Sequence, residues 1–519
     1  MSYNKLLAGL ISYSLLVCIL SGCGTDNTQD SNSDHTTVAE LDTSSMFTDR
    51  DTDASYDENA AVAIKLAVGN TSCDSSAVSI ENDTITITEE GTYLLSGSLT
   101  NGQIIIDAKN QNVQIIFDNA DINCDTSAAL YIRQADKVFV TLADGSHNTL
   151  SNTSEFVAID DNNIDAVLFS KKDLTINGSG ELTINAAFGH GIVSKDDLVI
   201  AGGEYHISAQ KHALAGKDSV RIAAGTLELS AGSDGIHSGN TDDEEKGFIY
   251  VANGNIRISA GDDGMHSDAD LMIADGTIAI SKSYEGLEGM TITIDGGNIN
   301  VTAEDDGLNA AGDGTTSDQP TPPQQTDNRP FPDNSFDKKG GGHNGIGFDQ
   351  SNDSNVILIN GGTLCVNADG DGIDSNGNLT VTGGNIYVYG PTNSGNGALD
   401  YAGTATISGG TLVAVGASGM AQNFSTDSTQ GCMLVTVSDT LTEGELSLTD
   451  SNGNVLVSCS PSKGYNSVVV SCPKLSEDET YTLTTGDIST TVKMSSLIYG
   501  TDDHFMGDGG FPGKEKRGQ

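Results

Sequence analysis

Gly202-Gly-Glu-Tyr-His-Ile-Ser-Ala, Ala224-Gly-Thr-Leu-Glu-Leu-Ser-Ala and Asn253-Gly-Asn-Ile-Arg-Ile-Ser-Ala are one phrase written three times. It returns as Gly296-Gly-Asn-Ile-Asn-Val-Thr-Ala, Gly361-Gly-Thr-Leu-Cys-Val-Asn-Ala and Gly383-Gly-Asn-Ile-Tyr-Val-Tyr-Gly. With Gly276 included, the second glycines lie 22, 29, 22, 21, 65 and 22 residues apart. A fixed period is the mark of a repeat architecture. The unit is about 22 residues, with seven extra near 239–247 and a larger insert after Asp313.

Inside the unit, apolar residues alternate with period two, as a strand with one buried face requires. Tyr205 and Ile207, Leu227 and Leu229, Ile256 and Ile258 point inward on this reading; His206, Glu228 and Arg257 point out. A second short strand precedes each glycine turn, as in Leu198-Val-Ile, Val220-Arg-Ile and Leu271-Met-Ile. A third element follows an Asp-Gly corner, as in Gly235-Ile-His-Ser. Three short strands per unit bury a face only when stacked on like neighbours. The expected class is therefore all-β, a parallel β-helix over 61–430. An antiparallel β-sandwich gives no reason for the constant phrase. A leucine-rich repeat is disfavoured because its Leu-x-x-Leu-x-Leu pattern and helical segment are missing. Residues 431–500 lack the phrase and read as a small C-terminal β-module, with Ser451-Asn-Gly-Asn as a hairpin turn.

Outward from the repeat, the chain begins with Lys5, an apolar run from Leu6 to Leu20 and then Ser21-Gly-Cys23. That reads as a signal peptide over 1–22 with Cys23 as the expected lipidated residue, which would place the protein outside the cell on a lipid anchor. Residues 23–60 read as a disordered acidic tether, 315–354 as a looped insert and 501–519 as a disordered tail. The formal charge is −48, and loss of Lys5 with the signal makes it −49. Such a surface repels nucleic acid and suits cations. Six cysteines remain beyond the anchor, without metal-ligand pairing; a disulfide between Cys459 and Cys472 and isolated thiols are both compatible with their spacing.

The corners carry the chemistry. Ser233-Asp-Gly-Ile-His-Ser, Asp262-Asp-Gly-Met-His-Ser, Tyr284-Glu-Gly-Leu-Glu-Gly, Asp305-Asp-Gly-Leu-Asn-Ala and Gly370-Asp-Gly-Ile-Asp-Ser follow one another. The residue before the glycine forms a column of His190, His212, Asp234, Asp263, Glu285, Asp306 and Asp371. The residue two after it forms another, of His237, His266, Glu288, Asn309 and Asp374. Carboxylates about 4.8 Å apart on adjacent strands repel. A calcium ion takes oxygen ligands at about 2.4 Å and fits between two such strands. The expected calcium ligands are Asp234, Asp262, Asp263, Glu285, Glu288, Asp305, Asp306, Asn309, Asp371 and Asp374. No repeat offers, on this reading, the His/Cys cluster that zinc prefers.

Gly91-Thr-Tyr-Leu-Leu-Ser-Gly, Asp369-Gly-Asp-Gly-Ile-Asp-Ser-Asn-Gly, Gly383-Gly, Gly390-Pro-Thr-Asn-Ser-Gly-Asn-Gly-Ala-Leu-Asp-Tyr and Pro461-Ser-Lys resemble the carbohydrate-binding β-helix proteins of clostridia and their relatives. The likeness spans roughly residues 60–510. It implies a right-handed, pectate-lyase-like solenoid, bound calcium, and affinity for acidic polysaccharide such as polygalacturonate without established lyase activity. Asp263, Asp306, Asp371 and Asp374 fall on that pattern. The expected protein is a monomeric, calcium-dependent surface carbohydrate binder. The alternatives are a polysaccharide (pectate) lyase, with Lys195, Lys211, Lys217 and Arg257 as the nearest bases and Lys211 the best placed, and a structural surface protein or adhesin without sugar affinity.

Overall fold

The computed structural model describes residues 43–500, apart from 244, 312–351 and 439. The expected signal peptide, Cys23, the tail and nearly all of the 315–354 insert lie outside the described residues. Among the described residues no helix is long and apolar enough to cross a membrane.

The 22-residue phrase becomes three parallel columns of apolar side chains. The first pairs Leu182, Tyr205, Leu227, Ile256, Ile278, Ile299, Leu364 and Ile386 in register. The second runs Leu198, Val220, Ile249, Leu271, Ile292, Ile357 and Leu379. The third runs Ile192, Leu214, Ile236, Met265, Leu287, Leu308, Ile373 and Leu399. All three converge on one continuous buried core. Parallel strands buried in this way gain their stability from apolar contacts along the stack as much as from their hydrogen bonds.

The strands do not remain three separate faces. The first two columns merge into a 24-stranded sheet, while the third forms a sheet of 13 strands. Long strands that pair on both sides of a turn cause the merger, and two of them close the core. Val113–Asn123 gives Val113–Phe117 to the Lys137–Leu142 strand and Asp121–Asn123 to the His147–Asn152 strand. Asp197–Ala209 likewise gives Leu198–Ile200 to Asp173–Gly178, and Glu204–Ala209 to Glu181–Ala186. Asp173–Gly178 pairs with Lys137–Leu142, and Glu181–Ala186 with His147–Asn152, so the parallel pairings close a ring of six strands. The chain turns within the long strands at Asn119, with φ of 59°, and at Gly202 and Gly203, with φ of 144° and 94°. This corrects the expectation of an open, right-handed, pectate-lyase-like parallel β-helix. In its pairings the core is a closed six-stranded parallel ring, with further strands added at its periphery. The same finding removes the β-helix element of the resemblance drawn from the sequence.

The C-terminal region divides between two sheets. Cys432–Thr436 and Ser467–Ser471 join the large sheet, and Ser467–Ser471 pairs antiparallel with Thr411–Gly416. Leu446–Asp450, Val455–Cys459, Thr480–Thr485 and Ile488–Lys493 make a separate four-stranded antiparallel sheet. Cys459 and Cys472 are free thiols, as are Cys73, Cys124, Cys365 and Cys432.

Residues 43–53, inside the stretch read as a tether, dock on the sheet. A short helix, Asp49–Thr52, is capped by Thr48 in a reciprocal capping box with Asp51. Met46 packs on Tyr250 and Met272. The Asp51 carboxylate is buried against Lys137 Nζ at 2.7 Å and Thr175 Oγ1 at 2.5 Å. Burial opposes its charge, but these donors and Thr48 outweigh it and hold the carboxyl at about 2. Asp51→Ala should therefore leave the Lys137 ammonium without its partner, costing about 3 kcal/mol. We expect a lowered melting temperature and new trypsin cleavage at Arg50. An unchanged melting curve would make the docking incidental.

Candidate metal centre

The corners build one site along the edge of the 13-stranded sheet. The second column is fixed by strand register: His237, His266, Glu288, Asn309, Asp374 and Asp400 follow in order. The first column is fixed by backbone bonds, in which the N–H of Gly235, Gly264, Gly286 and Gly307 donates to the carbonyl of Asp263, Glu285, Asp306 and Asp371 respectively. The corner glycines are not there for a left-handed turn, since their φ angles are not positive. A Cβ at Gly264, Gly286 or Gly372 would lie 2.5, 2.2 or 2.4 Å from a carbonyl oxygen of the following turn. Close approach, rather than backbone freedom, demands glycine.

A second ladder uses the column's own side chains. The N–H of His212 donates to His190 Nδ1, that of Asp234 to His212 Nδ1, and that of Asp263 to Asp234 Oδ1, at 3.3, 3.2 and 3.2 Å. Glu285 N–H donates to Asp263 Oδ1 at 3.1 Å, and Asp371 N–H to Asp306 Oδ1 at 2.6 Å. One carboxylate oxygen of each aspartate is thereby held by backbone. The other oxygen faces its neighbours.

These second oxygens converge with the neighbouring column. Asp263, Glu285 and Glu288 bring their ligand atoms within 4.8 Å of one another, as do Asp306, Asp371 and Asp374. Two further clusters include histidine: His212, Asp234 and His237, then Asp234, Asp263 and His266. Such groups could hold a divalent cation. The sequence reading that no repeat offers a histidine cluster is corrected. His237 follows Asp234 by three residues, and that spacing folds the two columns together at the corner. The imidazoles of His190, His212, His237 and His266 stack at 4.8, 4.4 and 5.1 Å. Asp262 and Asp305, expected as ligands, stand outside the clusters. Asp262 is exposed, and Asp305 bonds the Tyr284 hydroxyl. Asn309 donates its Nδ2 to Glu285 Oε2 at 2.9 Å, while its buried Oδ1 accepts no hydrogen bond within the protein.

The electrostatics separate the two ends of the column. Burial pushes the His190 imidazole down to about 2, and the charge of His212 pushes the same way. Asp234 is held well below the usual carboxylate range, because its bonds to His212 and His237 outweigh burial. His266 is pushed far up against burial by Asp263, Asp268 and Glu288. At the carboxylate end the direction reverses. Burial, reinforced by Glu288, raises Glu285 to about 8; burial raises Asp371 to about 7 and Asp306 to about 6.

The lysines weighed for lyase chemistry are occupied or distant in role. Lys217 pairs with Asp242 at 2.5 Å and Lys195 lies over the Phe169 ring. Lys211 is exposed beside His212. Arg257 stands 3.8 Å from Glu228. That face also carries a shallow groove of about 330 Å³ lined by Asn185, Ser208, Ser230, Ser259 and Ser281, among others.

The comparisons bear on residues that include most of these corners. A family described as carbohydrate-binding domain-containing protein matches residues 81–318. The chain is 38% identical over 135 residues to a carbohydrate-binding domain-containing protein of Acetivibrio thermocellus, covering 25% of this chain. It spans about half of that relative's length, 47%. It is also similar to a solved structure, the gadolinium derivative of the polysaccharide lyase-like protein from C. thermocellum, at 31% identity. That likeness covers 46% of this chain and 93% of the other, with a TM-score of 0.41.

The raised carboxyls generate a pH prediction. Unfolded Asp and Glu titrate near 4. Groups whose folded value is higher bind protons more tightly when folded. Their stabilising contribution is thus complete below about pH 4 and is lost as pH rises through about 6 to 8. In chelator, the melting temperature should fall between pH 5 and 8, and Glu285→Gln with Asp371→Asn should flatten that slope. An equal slope in the variant would assign the decline to general surface charge.

Proposed function

We propose that this chain is a calcium-dependent carbohydrate-binding protein of the cell surface, held by lipid on Cys23, monomeric, and directed to acidic polysaccharide such as polygalacturonate. The match of residues 81–318 to a carbohydrate-binding family supports the general role. The observation that carries the calcium reading is Asn309. Its Oδ1 is buried without a donor, in the column between Glu288 and Asp374. A buried acceptor without a partner costs about 1–3 kcal/mol, and a cation beside it removes that cost.

The donors there are all oxygen: Asp263, Glu285, Glu288 and Asn309, then Asp306, Asp371 and Asp374. Hard oxygen sets of this kind suit calcium. When bound, the ion supplies a positive centre that can bridge to uronate carboxylates. The chain's own carboxylates orient it, while the serine-lined groove offers hydroxyls to sugar oxygens. Charge −48 and an acidic ligand are then compatible.

Affinity electrophoresis in pectate gels tests the reading. We expect retardation with calcium, loss of retardation with chelator, and at least tenfold weaker retardation for Asp371→Asn/Asp374→Asn. Retardation indifferent to chelator would remove calcium from the binding. No retardation by any acidic polysaccharide would favour the adhesin alternative. Calorimetric melting gives an independent measurement. Calcium should raise the wild-type melting temperature, and Asp306→Asn/Asp371→Asn should blunt that rise without lowering stability in chelator, because each change also relieves repulsion.

A further inference from the structure

The histidine end of the column has a donor set that calcium does not select. We propose that His212, Asp234 and His237 form a separate binding site for a nitrogen-preferring divalent cation of the zinc class. The inference is independent of calcium at the carboxylate end.

Asp234 is 4% exposed, and its Oδ1 is fixed by the Asp263 amide at 3.2 Å. Its Oδ2 lies 3.1 Å from His212 Nδ1 and 2.8 Å from His237 Nδ1. Zinc bound to imidazole nitrogen and carboxylate oxygen sits about 2.0–2.1 Å from each, so two tetrahedral ligands lie about 3.3 Å apart. The observed separations need only a few tenths of an ångström of opening. Two imidazoles and one carboxylate are also the protein donors of open, three-ligand zinc sites.

The Asp234 N–H also lies 3.2 Å from His212 Nδ1, and a cation ligated by that nitrogen would replace this bond. That nitrogen and the Asp234 carboxylate face each other at 3.1 Å in a largely buried place, an apposition that a proton on His212 resolves when no cation is bound. A cation between them, also reached by His237 Nδ1, resolves that apposition. The two imidazole rings are held nearly parallel, 17° apart, by stacking on adjacent strands. An imidazole ligates along a lone pair in its ring plane, so a ring must turn out of this stack for both to reach one ion. The next histidine is different. His266 faces Asp263 and Glu288 through Nδ1 and Asp268 through Nε2, so as an imidazolium it supplies its own positive charge there. It stands between the histidine cluster and the all-oxygen donors.

The test uses the full chain without an affinity tag, in saturating calcium. Cobalt(II) should bind at one per chain with visible ligand-field bands, and zinc should bleach them. His212→Gln and His237→Gln should each weaken zinc at least tenfold, while Asp371→Asn should leave zinc unchanged. X-ray absorption at the zinc edge of the unmutated chain keeps the proposal falsifiable if the glutamine variants fail to fold, and two imidazole nitrogens are expected. An all-oxygen shell, displacement of zinc by calcium, or undiminished zinc binding in the double glutamine variant would overturn it.

Discussion

One backbone amide per repeat constrains everything at the corner. Where the chain leaves a core strand and turns into the 13-stranded sheet, the N–H of the residue before the glycine points back along the stack. Within the core that donor must find an acceptor or cost about 1–3 kcal/mol. For His212, Asp234, Asp263, Glu285 and Asp371 the preceding repeat supplies one from its own corner side chain, as Nδ1 of histidine or Oδ1 of aspartate. Both atoms are attached at Cγ, so they reach the same place from the same backbone position. That is why histidine and aspartate interchange in this column. The acids are stacked because the fold needs acceptors there. Their mutual repulsion is the consequence.

How that repulsion is relieved differs along the column. At one end His212 and His237 flank Asp234, and its carboxylate remains ionised. In the middle His266 reaches both Asp263 and Glu288. Beyond it no histidine remains in the column, and Glu285, Asp306 and Asp371 rise toward neutrality as burial outweighs the amides that bond them. The gradient from imidazole to carboxylate is thus one of available counter-charge, built into a single structural position.

The columns, their membership and their inward faces were legible in the sequence because strand alternation and a fixed period are local signals. Three features were not. The closure of the pairings depends on Val113–Asn123 and Asp197–Ala209 each pairing on both sides of a turn. A repeat count does not contain that. The docking of residues 43–53 rests on Met46, Phe47 and one buried carboxylate amid polar residues, too few apolar groups to mark an ordered segment by composition. The histidine clusters are not visible along either column taken lengthwise. Their contact runs sideways, from Asp234 to His237 and from Asp263 to His266. Asp262 and Asp305 adjoin the column in sequence, which is all that marks them as ligands there. Neither supplies one of the convergent ligand atoms, although Asp305 Oδ1 approaches Gly370 alongside Asp306 Oδ1.

Asn309 shows most clearly what the corner has to balance. Its position in the second column lies between Glu288 and Asp374, where another carboxylate would add a third charge to a run of acids at strand spacing. An amide keeps the oxygen donor and removes the charge. It also gives a hydrogen bond to Glu285, the most strongly raised carboxyl of the set. The cost is an Oδ1 that no protein donor reaches. A column that only needed to be stable would place an apolar or fully bonded side chain there, since burying an unbonded acceptor stabilises nothing. Retaining that oxygen beside convergent carboxylates is reasonable where a cation, rather than a protein donor, completes the arrangement. The same oxygen bound by calcium would favour ionisation of Glu285 and turn repulsion between repeats into shared coordination.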